Sequence, residues 1–91
     1  MKILPLNVTA YKQTPVFTEN TIPAGMLHHH TTKKDSWGKI CVQSGQLRYH
    51  ILTDPSEEHV ITPDNPGIIE PQTPHKVESM GSVEFFVEFY H

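Results

Sequence analysis

Three consecutive histidines, His28, His29 and His30, stand in a chain that carries seven in all. On a β-strand, residues two apart share a face. His28 and His30 would then project side by side, and His29 would point the other way, to solvent. Two neighbouring imidazoles begin a metal site, and imidazole suits zinc, iron, nickel and copper. A further histidine, His75, follows the stretch Glu70-Pro71-Gln72-Thr73-Pro74, whose prolines fix a stiff corner that would aim its side chain. Strand geometry alone does not bring His75 to the other two; a closed barrel would. Glu70 shares parity with Ile68 on a short apolar strand, where a carboxylate is expensive to bury unless it is paired or bound to a metal. Asp35, in the loop after the histidines, is a weaker oxygen donor. The expected ligand set is therefore His28, His30, His75 and Glu70 around a divalent metal, zinc first, with iron, nickel or manganese as alternatives.

Each of these residues also has an ordinary role to weigh. A histidine cluster can be a solvated surface patch, His75 can cap a turn, and Glu70 can face water. His50 and His59 belong to no constellation and are read as surface residues. Cys41 is read as a small core hydrophobe. No Ser-His-Asp or Cys-His-Asn arrangement has usable spacing, and no glycine-rich phosphate loop is present. No catalytic residue is assigned.

The elements that must position the histidines are strands. Val83, Phe85, Val87 and Phe89 alternate with Glu84, Phe86, Glu88 and Tyr90. Ile40 and Val42 alternate with Lys39, Cys41 and Gln43, and Leu47, Tyr49 and Ile51 with Gln46, Arg48 and His50. Period two marks half-buried strands. Ser44-Gly45 reads as a tight hairpin, and the stretches 53–56 and 62–67 read as turns. Strands are expected over 15–19, 25–31, 38–44, 46–53, 58–62, 67–70, 75–80 and 83–90. Short strands at this spacing suggest an antiparallel sandwich or barrel.

With 91 residues, the chain holds one domain, 1–91, with a thin core that a metal or a second copy would help to stabilise. A net charge of −3 without a run of like charges argues against nucleic-acid binding. The single cysteine allows no internal disulfide and fits a reducing compartment. The first residues lack the apolar core of a secretory signal, and no segment is long and apolar enough to span a bilayer. A cytoplasmic protein is expected.

The residues now in view resemble the cupin superfamily. Gly25, His28, His30 and Gly45 follow the order of its first motif. Glu70-Pro71-Gln72-Thr73-Pro74-His75, continued by Lys76-Val77, resembles its second. Two departures stand out: the usual glutamate ligand falls at Gly38, and the usual glycine of the second motif is Gln72. A closer resemblance, covering nearly the whole chain, is to the small cupin domain of tellurite-resistance TehB proteins and their YeaR-like relatives. It rests on Pro23-Ala24-Gly25, on His30 with Thr32-Lys33, on Ser36-Trp37-Gly38-Lys39, on Glu70-Pro71-Gln72 with His75, and on the Glu-Phe-Phe-Val ending. It implies an all-β double-stranded β-helix, a jelly-roll-like barrel, with a metal inside, and His30 and His75 match its pattern best. In TehB such a domain precedes an S-adenosylmethionine-dependent methyltransferase domain, which these 91 residues do not contain, so methyl transfer is not expected of them.

The resulting expectation is a metal-binding module that takes a small molecule or oxyanion in its barrel, with Trp37, Lys39 and Arg48 as candidates for the mouth. A homodimer is expected, because uncovered strand edges invite pairing. The competing reading is a non-haem metal enzyme, oxygenase-like or isomerase- or hydrolase-like, in which His30, His75 and Glu70 leave coordination positions open. A purely structural metal is the third.

Overall fold

The computed structural model describes residues 1–28 and 30–91. His29, and with it the expectation that its ring faces solvent, lies outside the described residues. The strands are β1 (Ala10–Gln13), β2 (Phe17–Thr18), β3 (Trp37–Ile51), β4 (Glu57–Ile61), β5 (Gly67–Ile69) and β6 (His75–Tyr90), with a 3-10 turn at Ala24–Leu27. All pair antiparallel in one sheet. Among the described residues, no helix is long and apolar enough to cross a membrane.

Two long strands form the frame. β3 and β6 pair along their whole length, from Trp37 opposite Tyr90 to Ile51 opposite His75. On its other side β3 is flanked by β5 and then by β4, while β6 carries β1 and β2. The alternation read from the sequence is what builds the core. Ile40, Val42, Leu47, Tyr49 and Ile51 of β3 meet Val77, Val83, Phe85 and Val87 of β6, and all are buried. Tyr49, buried among aliphatic neighbours, donates its hydroxyl to the Ile68 carbonyl at 2.9 Å. Burial, reinforced by the negative charges of Glu70 and Glu57, pushes this phenol well above its ordinary value, so it stays a donor.

Several expected elements are corrected. Ser44-Gly45 is not a hairpin: the expected strands 38–44 and 46–53 are one strand, and so are 75–80 and 83–90. The ladder shifts register between Val42 and Ser44 and again between Gly45 and Leu47. Gly45 takes φ +77°, the left-handed conformation that supports a bulge as well as a turn. The bulge also reconciles the parities, since the buried positions change from even (Ile40, Val42) to odd (Leu47, Tyr49, Ile51) across it. Without that extra residue, half of β3 would present its apolar side to water. Among the described residues of 25–31 the expected strand does not form either. Pro23, Ala24 and Gly25 lead into the 3-10 turn, and His30 makes only an isolated bridge. β1, conversely, was not expected; its four residues are exposed and show no burial signal.

On the outer face, His50 and Arg48 bridge β4 and β6. His50 Nε2 lies 2.8 Å from Glu78, its Nδ1 is 3.5 Å from Glu58, and Arg48 reaches both carboxylates. The His50 hydrogen bond holds Glu78 below the usual carboxylate range. Arg48 is thus engaged outside the core and does not line a mouth. Trp37 and Lys39 share the parity opposite to Ile40 and Val42 and also face away from the core.

Candidate functional site

The sheet near β6's first residue joins the two histidine-bearing stretches through their backbones. His30 N donates to His75 O, and His75 N to His30 O, both at 2.8 Å. Two residues on, the Thr32 hydroxyl donates to the Glu70 carbonyl and accepts from Gln72 N, each at 3.2 Å. Residues 30–32 and 70–75 are therefore zipped together, although at least 38 positions separate the bonded residues. This puts the His30 and His75 rings 5.3 Å apart, nearly perpendicular.

The two rings have different surroundings. His75 is 1% exposed, and its ring also packs edge-on against Tyr49 at 6.0 Å. Its Nδ1 lies 2.9 Å from the Thr73 carbonyl. A carbonyl only accepts, so Nδ1 carries a proton; in a neutral ring this is the Nδ1–H tautomer, the one commonly imposed on metal-binding histidines. His30 is exposed on its outer side. His28 is exposed at the end of the 3-10 turn, and the Glu70 carboxylate is 3.4 Å from Lys2 Nζ. Asp35 occupies an exposed turn with φ +64°. Among the described residues, no group of three or more histidine, cysteine, aspartate or glutamate side chains is arranged to hold a metal ion.

The turn that aims His75 has a strained residue. Gln72 takes φ +57°, in the left-handed region where a side chain is disfavoured by about 1–2 kcal/mol. This is the position where the resembling motif carries glycine. Gln72→Gly relieves that strain and loses part of the gain to unfolded-chain entropy. A net stabilisation of about 0.5 kcal/mol is expected, with the His30–His75 contact retained; a clear loss in denaturant midpoint would refute the account.

Two cavities meet at His30. One, of about 30 Å³, is lined by Thr14, Met26, His30, Thr32, Ile69, His75, Val87 and Phe89. The other is an open cleft of about 160 Å³ formed by Tyr11, Lys12, Thr31, Thr32, Lys33, Ser36, His30 and Phe89. β1 supplies Tyr11 and Lys12, and the Tyr11 hydroxyl is 2.8 Å from Ser36 Oγ, which pins the loop to the strand. Lys33 Nζ stands 6.0 Å from the Tyr11 ring centre, and Lys12 Nζ 6.0 Å from that of Phe89. Among the described residues, neither lysine forms an ion pair with a carboxylate. The sequence signal for these residues was weak: Lys12 and Tyr11 belong to an exposed strand without apolar alternation. Cys41 sits on the outer face, and burial pushes its thiol up, away from a reactive thiolate.

Comparison with known proteins agrees with this architecture. The TehB-like domain family matches residues 12–87. A probable S-adenosyl-L-methionine-dependent methyltransferase TehB of Haemophilus influenzae is 36% identical over 85 residues, which are 88% of this chain and 30% of that protein. The crystal structure of TehB from Haemophilus influenzae superposes with a TM-score of 0.82 at 35% identity, covering 91% of this chain and 31% of that one. The chain thus spans about a third of the length of these relatives. A protein from E. coli (strain K12) has the same fold, with a TM-score of 0.88 at 22% identity over 100% of this chain and 97% of its own.

Proposed function

The chain belongs to the TehB-like domain family, and on that footing we propose that it is a binding module for a small oxyanion, held in the cleft beside His30. One observation carries the reading: Lys12 and Lys33 line a small cleft together with Thr31, Thr32 and Ser36, and among the described residues no carboxylate forms an ion pair with either lysine. Two such ammonium groups at one concavity raise the local concentration of anions although the chain as a whole is negative. The volume, about 160 Å³, is below the roughly 300 Å³ at which drug-sized ligands begin to fit. A compact inorganic anion suits it better.

His30 and His75 would hold a metal ion at the base of this cleft. The imposed tautomer of His75 and the close, crossed rings support that role. A bound metal would offer the anion a Lewis-acidic coordination position. The six-stranded antiparallel sheet, with its two long strands paired through register shifts, supports the finer reading of the fold as a double-stranded β-helix of the cupin type. An oxygenase-like triad of His30, His75 and Glu70 has less support, because Glu70 is engaged with Lys2.

The test is calorimetric titration with tellurite and with inorganic phosphate, comparing wild type with a Lys12→Ala/Lys33→Ala double variant. Both positions are exposed, so the fold should persist. We expect micromolar-to-millimolar binding that weakens about tenfold or more in the double variant and falls with added salt. Equal affinity in the two proteins would refute the cleft, and no heat with either anion would refute the oxyanion reading itself.

A further inference from the structure

We propose that Tyr11 is the directional donor of the anion cleft: its phenol O–H, set free by a hydrogen bond accepted from Ser36, bonds the oxyanion that Lys12 and Lys33 attract. The proposal rests on the oxyanion reading above and names the residue that orients the ligand. Strand register, a count of hydroxyl protons and burial carry it.

β1 is irregular at this residue. Ala10 stands opposite Tyr90 and Lys12 opposite Phe89, so two steps along β1 match one along β6, and Tyr11 is the extra residue. In a regular pleat, Tyr11 and Lys12 would point to opposite faces of the sheet. Here both line the same cleft. A bulge re-aims a side chain in this way, at the cost of local ladder pairing. The ring it places is then held by its neighbours. Lys33 Nζ stands 6.0 Å from the ring centre, and the His91 ring packs against it at 4.0 Å, tilted by 38°.

A hydroxyl has one proton to give and two lone pairs to offer. Tyr11 and Ser36 share one hydrogen bond of 2.8 Å, which uses one of their two protons. Among the described residues neither oxygen has a second hydrogen-bond partner. One O–H is therefore left to donate, and both residues line the cleft.

Burial assigns that proton. Ser36 is 3% exposed and Tyr11 38%, and a backbone turn holds the serine in place, with Ser36 N donating to Lys33 O at 3.1 Å. The serine proton goes to the phenol oxygen, and the phenol proton faces the cleft. An anion is a stronger acceptor than a neutral hydroxyl, and a phenol is a stronger donor than an alcohol. The order Ser36 to Tyr11 to anion thus sets the strongest donor on the strongest acceptor, and each bond polarises the next. The lysines are point charges on flexible stems and attract any anion. The pinned O–H is directional and favours an acceptor oxygen at one place.

The experiment is calorimetric titration of the full chain with inorganic phosphate and with tellurite at several salt concentrations. Wild type is compared with Tyr11→Phe and Ser36→Ala. Both variants remove the same Tyr11–Ser36 hydrogen bond, but only Tyr11→Phe removes the phenol proton. Tyr11→Phe should weaken binding by about tenfold, and Ser36→Ala by no more than about threefold. The slope of log affinity against log salt should stay at its wild-type value in both, because no charge is lost. The tyrosine absorption band should shift on adding anion to wild type and to Ser36→Ala, and stay still in Tyr11→Phe. Equal losses in the two variants would make the pair a structural latch and overturn the donor role. Unchanged affinity in Tyr11→Phe would overturn it too, as would a fall in its salt slope, which would mean that the lysines had moved. If Tyr11→Phe does not fold, the absence of a band shift in wild type that binds the anion has the same force. Wild type that binds neither anion would overturn the oxyanion reading itself, and the donor role with it.

Discussion

Phe85→Ala will destabilise the protein by about 3–5 kcal/mol, whereas Phe86→Ala, one residue along, will cost less than half as much. The two rings are chemically identical and differ only in the face of β6 that they occupy. Phe85 is fully buried. It stands opposite Val42 on β3 and opposite Phe17 on β2, where β6 is flanked on both sides. Its ring meets that of Phe17 edge-on at 5.6 Å. Truncation therefore leaves a cavity bounded by three strands that cannot collapse independently, and β2, only two residues long, loses its main apolar anchor. Phe86 is half-buried on the outer face beside Cys41, so water fills the space it vacates. For a chain of this length the Phe85 loss lowers the melting temperature by at least roughly 12 °C. Thermal melts of the two variants side by side decide the matter. Equal losses would mean that the inward and outward faces of β6 are not as described.

That assignment of faces was legible in the sequence because period two is a direct consequence of the pleat. Val83, Phe85 and Val87 were placed together by alternation alone, and all three are in the core. Leu47, Tyr49 and Ile51 were read equally well. The pairing of residues 30–32 with 70–75 was not legible in this way. Backbone hydrogen bonds between distant segments leave no periodic trace, and His75 could be tied to His30 only through the resemblance of the two motifs. His28 illustrates the limit of a local rule. Its shared face with His30 presupposed a strand running through both, whereas the described residues show a 3-10 turn at Ala24–Leu27 and an isolated bridge at His30. Lys12, Lys33 and Met26 carried no signal at all. Single lysines on exposed segments and a lone methionine look the same whether or not a cavity lies beneath them. What assembles them is the packing of β1 and the 3-10 turn onto β6.

Ser44-Gly45 was misread for a related reason, and the physical cause leads to a second large effect. A glycine flanked by alternating residues signals a left-handed backbone, which serves a hairpin turn and a bulge equally. The sequence establishes the conformation but not whether the chain reverses. Here it continues, and Gly45 lies against the partner strand so closely that a Cβ would fall 2.1 Å from the Ser82 carbonyl oxygen. Gly45→Ala must therefore both occupy φ +77° and push apart two strands that have no flexible side chain to yield. Conformational strain of about 1–2 kcal/mol adds to broken ladder hydrogen bonds of about 1 kcal/mol each, and the total should reach about 4 kcal/mol. Gly81 provides the control. It has φ +94°, yet nothing lies within 4 Å of the Cβ it would gain. Gly81→Ala should thus cost only the conformational part, about 1–2 kcal/mol. Denaturant titration of both variants separates the contributions: the difference between them measures the close approach at Gly45. If both lose the same stability, the two strands do not meet as closely as the bulge requires. If the gap is large, the register of β3 against β6 depends on this one backbone contact, and with it the placement of both core halves and the His75 corner.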